Sequence, residues 1–153
     1  MIDIHSQSTD PRAAQLSNLA PRTFTFDNVP CRSIESFLQA LKEPDPDAQK
    51  NMCTWSGVHA KKSSPRFSAW KDSHTLWWQG QKISRFSAEY QALLRRHYDT
   101  VYQQDPTLRC ALQATRREEL RHTIGISDPR ETVLTEVEFI HQLNCLRLHG
   151  RVR

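Results

Sequence analysis

Helix-start signals recur along this chain at intervals that leave room for little except helices. Ser33 stands before an apolar run, Asp45 and Asp105 each precede a proline, and Thr115 with Glu118 and Thr135 with Glu138 each have capping-box spacing. A Ser, Thr or Asp at such a position accepts a hydrogen bond from an otherwise unpaired N–H, and a following proline loses nothing in the first turn. The apolar spacing agrees. Ile34, Phe37, Leu38 and Leu41 form one stripe, and Tyr90, Leu93, Leu94, His97 and Val101 a second beginning at Ser87. Leu108, Ala111 and Leu112 form a third, and Val137, Ile140, Leu143 and Leu146 a fourth. Leu134 precedes the Thr135 cap, where it can staple onto Phe139, and Gly57 reads as the glycine that ends the helix begun at Asp45-Pro46. Strand signals are short: Phe24, Phe26 and Val29 alternate around an Asp-Asn pair, and HTLWWQGQKIS flanks Gln79-Gly80 as a hairpin would. The expected fold class is mainly α with a few short strands, a minor α+β case, in one compact multihelical domain.

A length of 153 residues with 37% hydrophobic side chains suits a single core. Residues 1–12, polar and without periodicity, are expected to be a flexible N-terminus. Residues 13–149 form the domain and residues 150–153 a short basic tail. No run approaches the roughly 20 apolar residues of a membrane span, so no membrane partner is expected. The four cysteines share no regular spacing and the N-terminus lacks a signal-peptide pattern, which predicts reduced thiols and a cytoplasmic protein. A formal charge of +4 favours anionic partners, phosphate-bearing ligands or nucleic acid, although the cations are dispersed.

Several chemistries are disfavoured. With four glycines there is no Walker or Rossmann phosphate loop, and no Gly-x-Ser-x-Gly elbow occurs. His141 and Cys145 lie four apart on a helix, but no second pair has zinc-site spacing, so neither a metal nor a cofactor is expected. Trp55, Trp70, Trp77 and Trp78 sit among Lys61, Lys62, Arg66, Lys71 and Lys82, a mixture able to stack a base and hold its phosphates. At least two of the four belong to a core, and Trp78 or Trp70 suits stacking better than Trp55. On the first helix, Glu35 and Lys42 fall within ~20° of each other at the edge of the apolar stripe, about 10.5 Å apart along the axis, with Gln39 alongside. An acid and an amine at such an edge lose hydration, which raises the pKa of the first and lowers that of the second. The helix dipole favours the same two charges on any solvated face.

The run LSNLAPRTFTFDNVPCRSIESFLQALK resembles the N-terminal signature of the NADAR domain, the NAD- and ADP-ribose-associated family of YbiA-like N-glycosidases. The resemblance rests on Leu16-Ser17-Asn18, the apolar stretch Phe24 to Val29, and Ser33, Glu35, Gln39, Ala40 and Lys42. Further along, Arg85, Glu89 and Tyr90 resemble an arginine and an acidic-aromatic pair, and Thr115, Leu120, Asp128 and Arg147 resemble the C-terminal half. Two departures, Tyr90 where tryptophan is common and Pro129-Arg130 where Trp-Gly is common, imply a changed pocket wall.

The resemblance implies a YbiA-like fold. It also implies an N-glycosidase that cleaves an ADP-ribose conjugate, such as ADP-ribosylated guanine in DNA or RNA, or a phosphorylated ribosylamine. Glu35 would serve as acid-base and Lys42 as Schiff-base nucleophile. Ser17, Asn18 and Gln39 would lie at the substrate, Asn18 orienting ribose hydroxyls. Arg85 would bind phosphate beside Glu89, Trp78 or Tyr90 would stack a ring, and Asp128 would position a hydroxyl or act as a second carboxylate. The alternative is a non-catalytic module that binds ADP-ribose or nucleic acid on the same basic, aromatic surface.

Overall fold

A computed structural model describes residues 1–150 and follows most of these signals. Strand β1 (Ile2–Asp3) leads to helix α1 (Pro11–Leu16), then to the hairpin β2 (Phe24–Phe26) and β3 (Val29–Cys31). Asp27 and Asn28 form its two-residue turn, both left-handed at φ 47° and 64°, which matches strand twist and which Asp and Asn tolerate best among residues with a Cβ. Helix α2 (Ile34–Ala40) follows, then α3 (Pro46–Met52), α4 (Gly57–Ser63), a 3-10 turn at Ser64–Phe67, and the short α5 (Trp70–Ser73). The second hairpin pairs β4 (Thr75–Trp78) with β5 (Gln81–Ser84) about Gln79-Gly80, as expected. The long α6 (Ala88–Gln104), α7 (Pro106–Ala114), β6 (Leu120–Arg121) and α8 (Glu136–His149) complete the chain. The architecture is mainly helical with minor β, arranged as three separate two-stranded sheets among the described residues.

Helix α2 is the hub. Ser33 caps it by accepting from the Ser36 N–H at 3.0 Å, and Ile34, Phe37, Leu38, Gln39 and Ala40 are all buried. Burying Phe37 and Leu38 contributes roughly 1.5–3 kcal/mol each. A helix this buried needs partners for its terminal carbonyls. Gln49 supplies one, its amide donating to the Ala40 carbonyl at 2.9 Å and the Trp77 carbonyl at 2.8 Å, while the Trp77 N–H donates to the Leu41 carbonyl at 2.8 Å. The C-terminal end of α2 is thereby tied to the second hairpin. Behind it Phe26, Phe37, Trp78 and His97 pack together, with the His97 ring stacked 3.6 Å from Phe37.

Four expectations are corrected. Residues 1–12 are not loose: Ile2 and Ile4 are 3% and 0% exposed, β1 pairs in parallel with β6, and Asp10 caps α1. The alternation of two isoleucines across polar neighbours was the strand signal. Gly57 does not end α3; Cys53 does, and Gly57 opens α4 behind the Ser56 cap. A Cβ at Gly57 would lie 2.4 Å from the Leu19 carbonyl oxygen, so close packing explains this glycine. Thr115 starts no helix but caps the end of α7, and the chain turns at Arg116 (φ 51°) toward β6. Val137 is 76% exposed, its place in the core taken by Phe139 and Gln142. The Thr135–Glu138 capping box is present in full. Gly150 ends α8 in the left-handed region at φ 69°, and the rest of the expected tail lies outside the described residues.

Candidate functional site

The edge of α2 opens onto a cleft of about 450 Å³. Asn18, Glu35, Leu38, Gln39 and Lys42 form one wall, Lys61, Ser64, Ser68 and Lys71 the rim, and His122, Gly125, Ile126, Thr132, Val133 and Phe139 line the far side. Glu35 and Lys42 therefore face one space, as their spacing predicted, although the helix ends at Ala40 and Lys42 sits in a final tight turn with its N–H bonded to the Gln39 carbonyl at 3.1 Å.

The Lys42 ammonium is unusually placed. Its Nζ donates to Ser64 Oγ at 3.0 Å and lies 5.9 Å from the centre of the Trp70 ring, which is itself buried. Burial lowers the Lys42 pKa from 10.5 to about 8; Glu35 opposes the shift, and the positive charges of Lys71 and Lys61 add to it. An amine in this range exists partly as the free base near neutral pH and is a competent nucleophile. Glu35 is half-buried, and its Oε1 accepts from Gln39 Nε2 at 2.8 Å. Gln39 is 5% exposed, and its Oε1 has no hydrogen-bond partner among the described residues, a buried acceptor on the cleft wall. Asn18 bridges two elements: its carbonyl accepts the Glu35 N–H at 2.9 Å, and its Oδ1 accepts from the buried Tyr98 hydroxyl at 2.8 Å. No described residue accepts a hydrogen bond from the Asn18 side-chain amide nitrogen, and Asn18 lines the cleft.

The other expected site residues lie elsewhere, each for a definable reason. Ser17 is buried at the end of α1, its hydroxyl accepting from the Leu19 N–H at 3.1 Å. Trp78 is a core residue, 5% exposed, with its indole N–H donated to Asp27 at 2.8 Å. Arg85 is 1% exposed, bonded bidentately to Glu138 at 2.7 and 3.1 Å and to the Thr132 carbonyl at 3.0 Å, so no phosphate reaches it. Glu89 is exposed in the first turn of α6, away from the cleft. Tyr90 is fully buried and donates its hydroxyl to the Val133 carbonyl, with burial holding its pKa far above the usual range. Asp128 pairs with Arg130 at 3.1 Å outside the cleft lining. Arg85 and Tyr90 thus serve the site from behind, clamping the carbonyls of Thr132 and Val133, two residues of the far wall.

Sequence reasoning missed the far wall, above all His122. The HTIG stretch has no periodicity, and the contacts that place it come from residues more than a hundred positions upstream. Among the described residues no helix is long and apolar enough to cross a membrane.

Comparison with known proteins overturns the NADAR resemblance. The family described as Bacteriophage protein GP30.3 matches residues 11–148 of this chain. A 17.1 kDa protein from the Gp30-rIII intergenic region of Enterobacteria phage T4 is 33% identical over 147 residues, covering 95% of this chain and 96% of its own length. No solved structure matches. The motif positions that suggested NADAR include Arg85, Tyr90 and Asp128, which in this fold hold structure together or lie outside the cleft. This chain belongs to the bacteriophage GP30.3 family.

Proposed function

We propose that the cleft hydrolyses the N-glycosidic bond of a phosphorylated riboside, with Lys42 as nucleophile and Glu35 as acid-base. The observation that carries this reading is a lysine amine lowered to about 8 by burial, in one cleft with a carboxylate and two further lysines. Scission of a ribosyl–nitrogen bond develops positive charge at the anomeric carbon, which a nearby carboxylate stabilises, and the free amine captures that carbon. The buried Gln39 acceptor and the Asn18 amide suit ribose hydroxyls, and Lys61 and Lys71 at the rim suit phosphate, Lys71 giving up its 3.1 Å ion pair with Glu131 to bind it. A space of about 450 Å³ takes a phosphorylated ribose and leaves the base at the mouth. An ADP-ribosylated guanosine in an oligonucleotide and a ribosylamine 5-phosphate both meet this description.

The test incubates the protein with each substrate, follows the released base or amine, and adds borohydride to trap an imine. Lys42→Ala is expected to lower release at least ~1000-fold and to abolish the trapped adduct. An adduct that persists in Lys42→Ala ends the nucleophile role, and saturable binding without release makes the protein a binding module. The pH profile gives a finer check. Activity should rise as Lys42 loses its proton toward about pH 8. In Lys71→Met, which removes a cation that lowers the Lys42 pKa, that rise should move to higher pH.

A further inference from the structure

We infer that His122 is a third catalytic group of this cleft, a general acid that protonates the departing nitrogen from the wall opposite α2. The inference deepens the N-glycosidase reading and rests on it for the reaction, but its placement rests on separate geometry. The His122 Nδ1 lies 2.6 Å from the Ile4 carbonyl oxygen. A carbonyl only accepts, so Nδ1 carries a proton in either charge state of the ring. Nε2 is then the atom that gains and loses the second proton, and no described residue hydrogen-bonds to it. A backbone carbonyl fixing the tautomer of an imidazole is the usual means of presenting the other nitrogen to chemistry.

The ring is held on its other sides as well. Phe139 meets it edge-on with centroids 5.3 Å apart, and the backbone N–H of His122, not the ring, donates to Glu136 at 2.6 Å and fixes the main chain that carries it. A Cβ at Gly125 would sit 2.7 Å from His122 Cδ2, so the absence of a side chain there leaves the imidazole its place. Gly125 is not in the left-handed region, which makes close approach the reason for the glycine. Asp3 completes the mounting: its carboxylate accepts from the Thr123 N–H at 2.9 Å and the Thr123 hydroxyl at 2.6 Å, locking β1 to the segment that carries His122. The first four residues thus position a side chain of the site, which gives the parallel β1–β6 pairing a functional reason.

The proton inventory closes. The Lys42 amine forms a bond to the anomeric carbon as the carbon–nitrogen bond breaks, and the departing nitrogen keeps the electron pair and takes the proton from His122 Nε2. Glu35 removes a proton from the Lys42 nitrogen and passes it to the ring oxygen as the ribose opens to the imine. Water then adds to the imine carbon, giving its proton to the neutral His122, and Glu35 carries a proton from the new hydroxyl to the nitrogen as the amine leaves. Riboside and water become ribose and free base, and all three side chains return to their starting states.

The test compares wild type with His122→Asn, whose amide can keep the bond to the Ile4 carbonyl but has nothing at the Nε2 position. With a base as leaving group, release should fall ~100- to 1000-fold. With 4-nitrophenyl 5-phosphoribofuranoside, whose leaving phenolate needs no proton, the loss should stay within about tenfold. Equal loss on both substrates, or none on either, overturns the inference while leaving Lys42 and Glu35 in place. Should wild type release nothing from any substrate, the N-glycosidase reading fails, and an NMR titration with ribose 5-phosphate still decides the placement. A saturable shift of the His122 Cε1–H signal, with exposed His141 unmoved, keeps His122 in a ligand site, and an unmoved His122 signal removes it.

Discussion

The two walls of the cleft are built by opposite means. The α2 wall is built on a helix: apart from Asn18, its cap, its buried face and its site residues lie within ten positions of sequence, Glu35 and Gln39 take their directions from helical geometry, and Lys42 follows in the tight turn that ends the helix. The far wall, from His122 to Leu134, has no regular structure, and its two ends are held by groups from elsewhere in the chain. Ile4 and Asp3 hold its beginning, and Arg85 and Tyr90 hold its end through the Thr132 and Val133 carbonyls. A helix wall is as stiff as the core it packs in, whereas a strapped wall is only as stiff as its straps. The comparison predicts that changes far from the cleft disturb the second wall and spare the first.

The largest expected effect follows from Arg85. In Arg85→Met the Glu138 carboxylate, only 15% exposed, loses its cation, and the Thr132 carbonyl loses its donor. Leaving one partner of a buried pair alone costs about 3–5 kcal/mol, with bonds from Gln91 and the Thr135 N–H keeping the loss at the lower end. Urea unfolding should show a lower midpoint, and hydrogen exchange should quicken in residues 122–134 more than in α2. If Arg85 bound phosphate instead, as the NADAR resemblance implied, the variant would lose ligand affinity with its midpoint unchanged.

The contrast also explains what could be read from the sequence. Ser33, Asp45, Asp105 and Thr135 announced their helices because a cap is a local interaction, and the shared edge of Glu35 and Lys42 followed from helical spacing even though Lys42 sits in the turn just past the helix end. Arg85 and Tyr90 were noticed for chemical type but given the wrong task, since burial behind a wall and exposure within a cleft look alike in sequence. His122 went unnoticed because the Ile4 carbonyl that fixes its ring reaches it only once the N-terminus pairs with β6, and the Phe139 ring only once α8 packs against that segment. The NADAR resemblance failed for a related reason: a spaced set of polar residues records types, and types alone do not distinguish a ligand contact from a structural clamp.

A smaller effect sharpens the description of the first wall. Lys42 has its pKa lowered in the folded state, so between about 8 and 10.5 the unfolded chain holds more protons, and stability rises with pH across that window. Below about pH 8 the cost of keeping the ammonium desolvated is fully present. Lys42→Met fills the same space without the charge, and should stabilise the fold at neutral pH by roughly 1–3 kcal/mol. The gap between the two proteins should close toward pH 10.5, as measured by urea unfolding across the range. A variant that is less stable than wild type at pH 7 would mean that the ammonium is well solvated or well paired.

The smallest expected effect is the most specific to the second wall. Gly125→Ala requires no left-handed backbone, and the added methyl meets the His122 ring edge at 2.7 Å from Cδ2 and the His122 carbonyl oxygen at a tight 3.0 Å, with the Glu136 Cβ at an ordinary 3.5 Å. The ring is the part free to yield, by rotating off the Ile4 carbonyl, so stability should fall by only about 1 kcal/mol. Base release should fall about tenfold, because a displaced general acid still reaches its target part of the time. The decisive measurement is the double variant. If the methyl acts through His122, adding Gly125→Ala to His122→Asn should cost nothing further, a coupling of about 1.4 kcal/mol between the two positions. Full additivity of the two losses would show that Gly125 serves the cleft by another route, and that the second wall positions its backbone rather than its histidine.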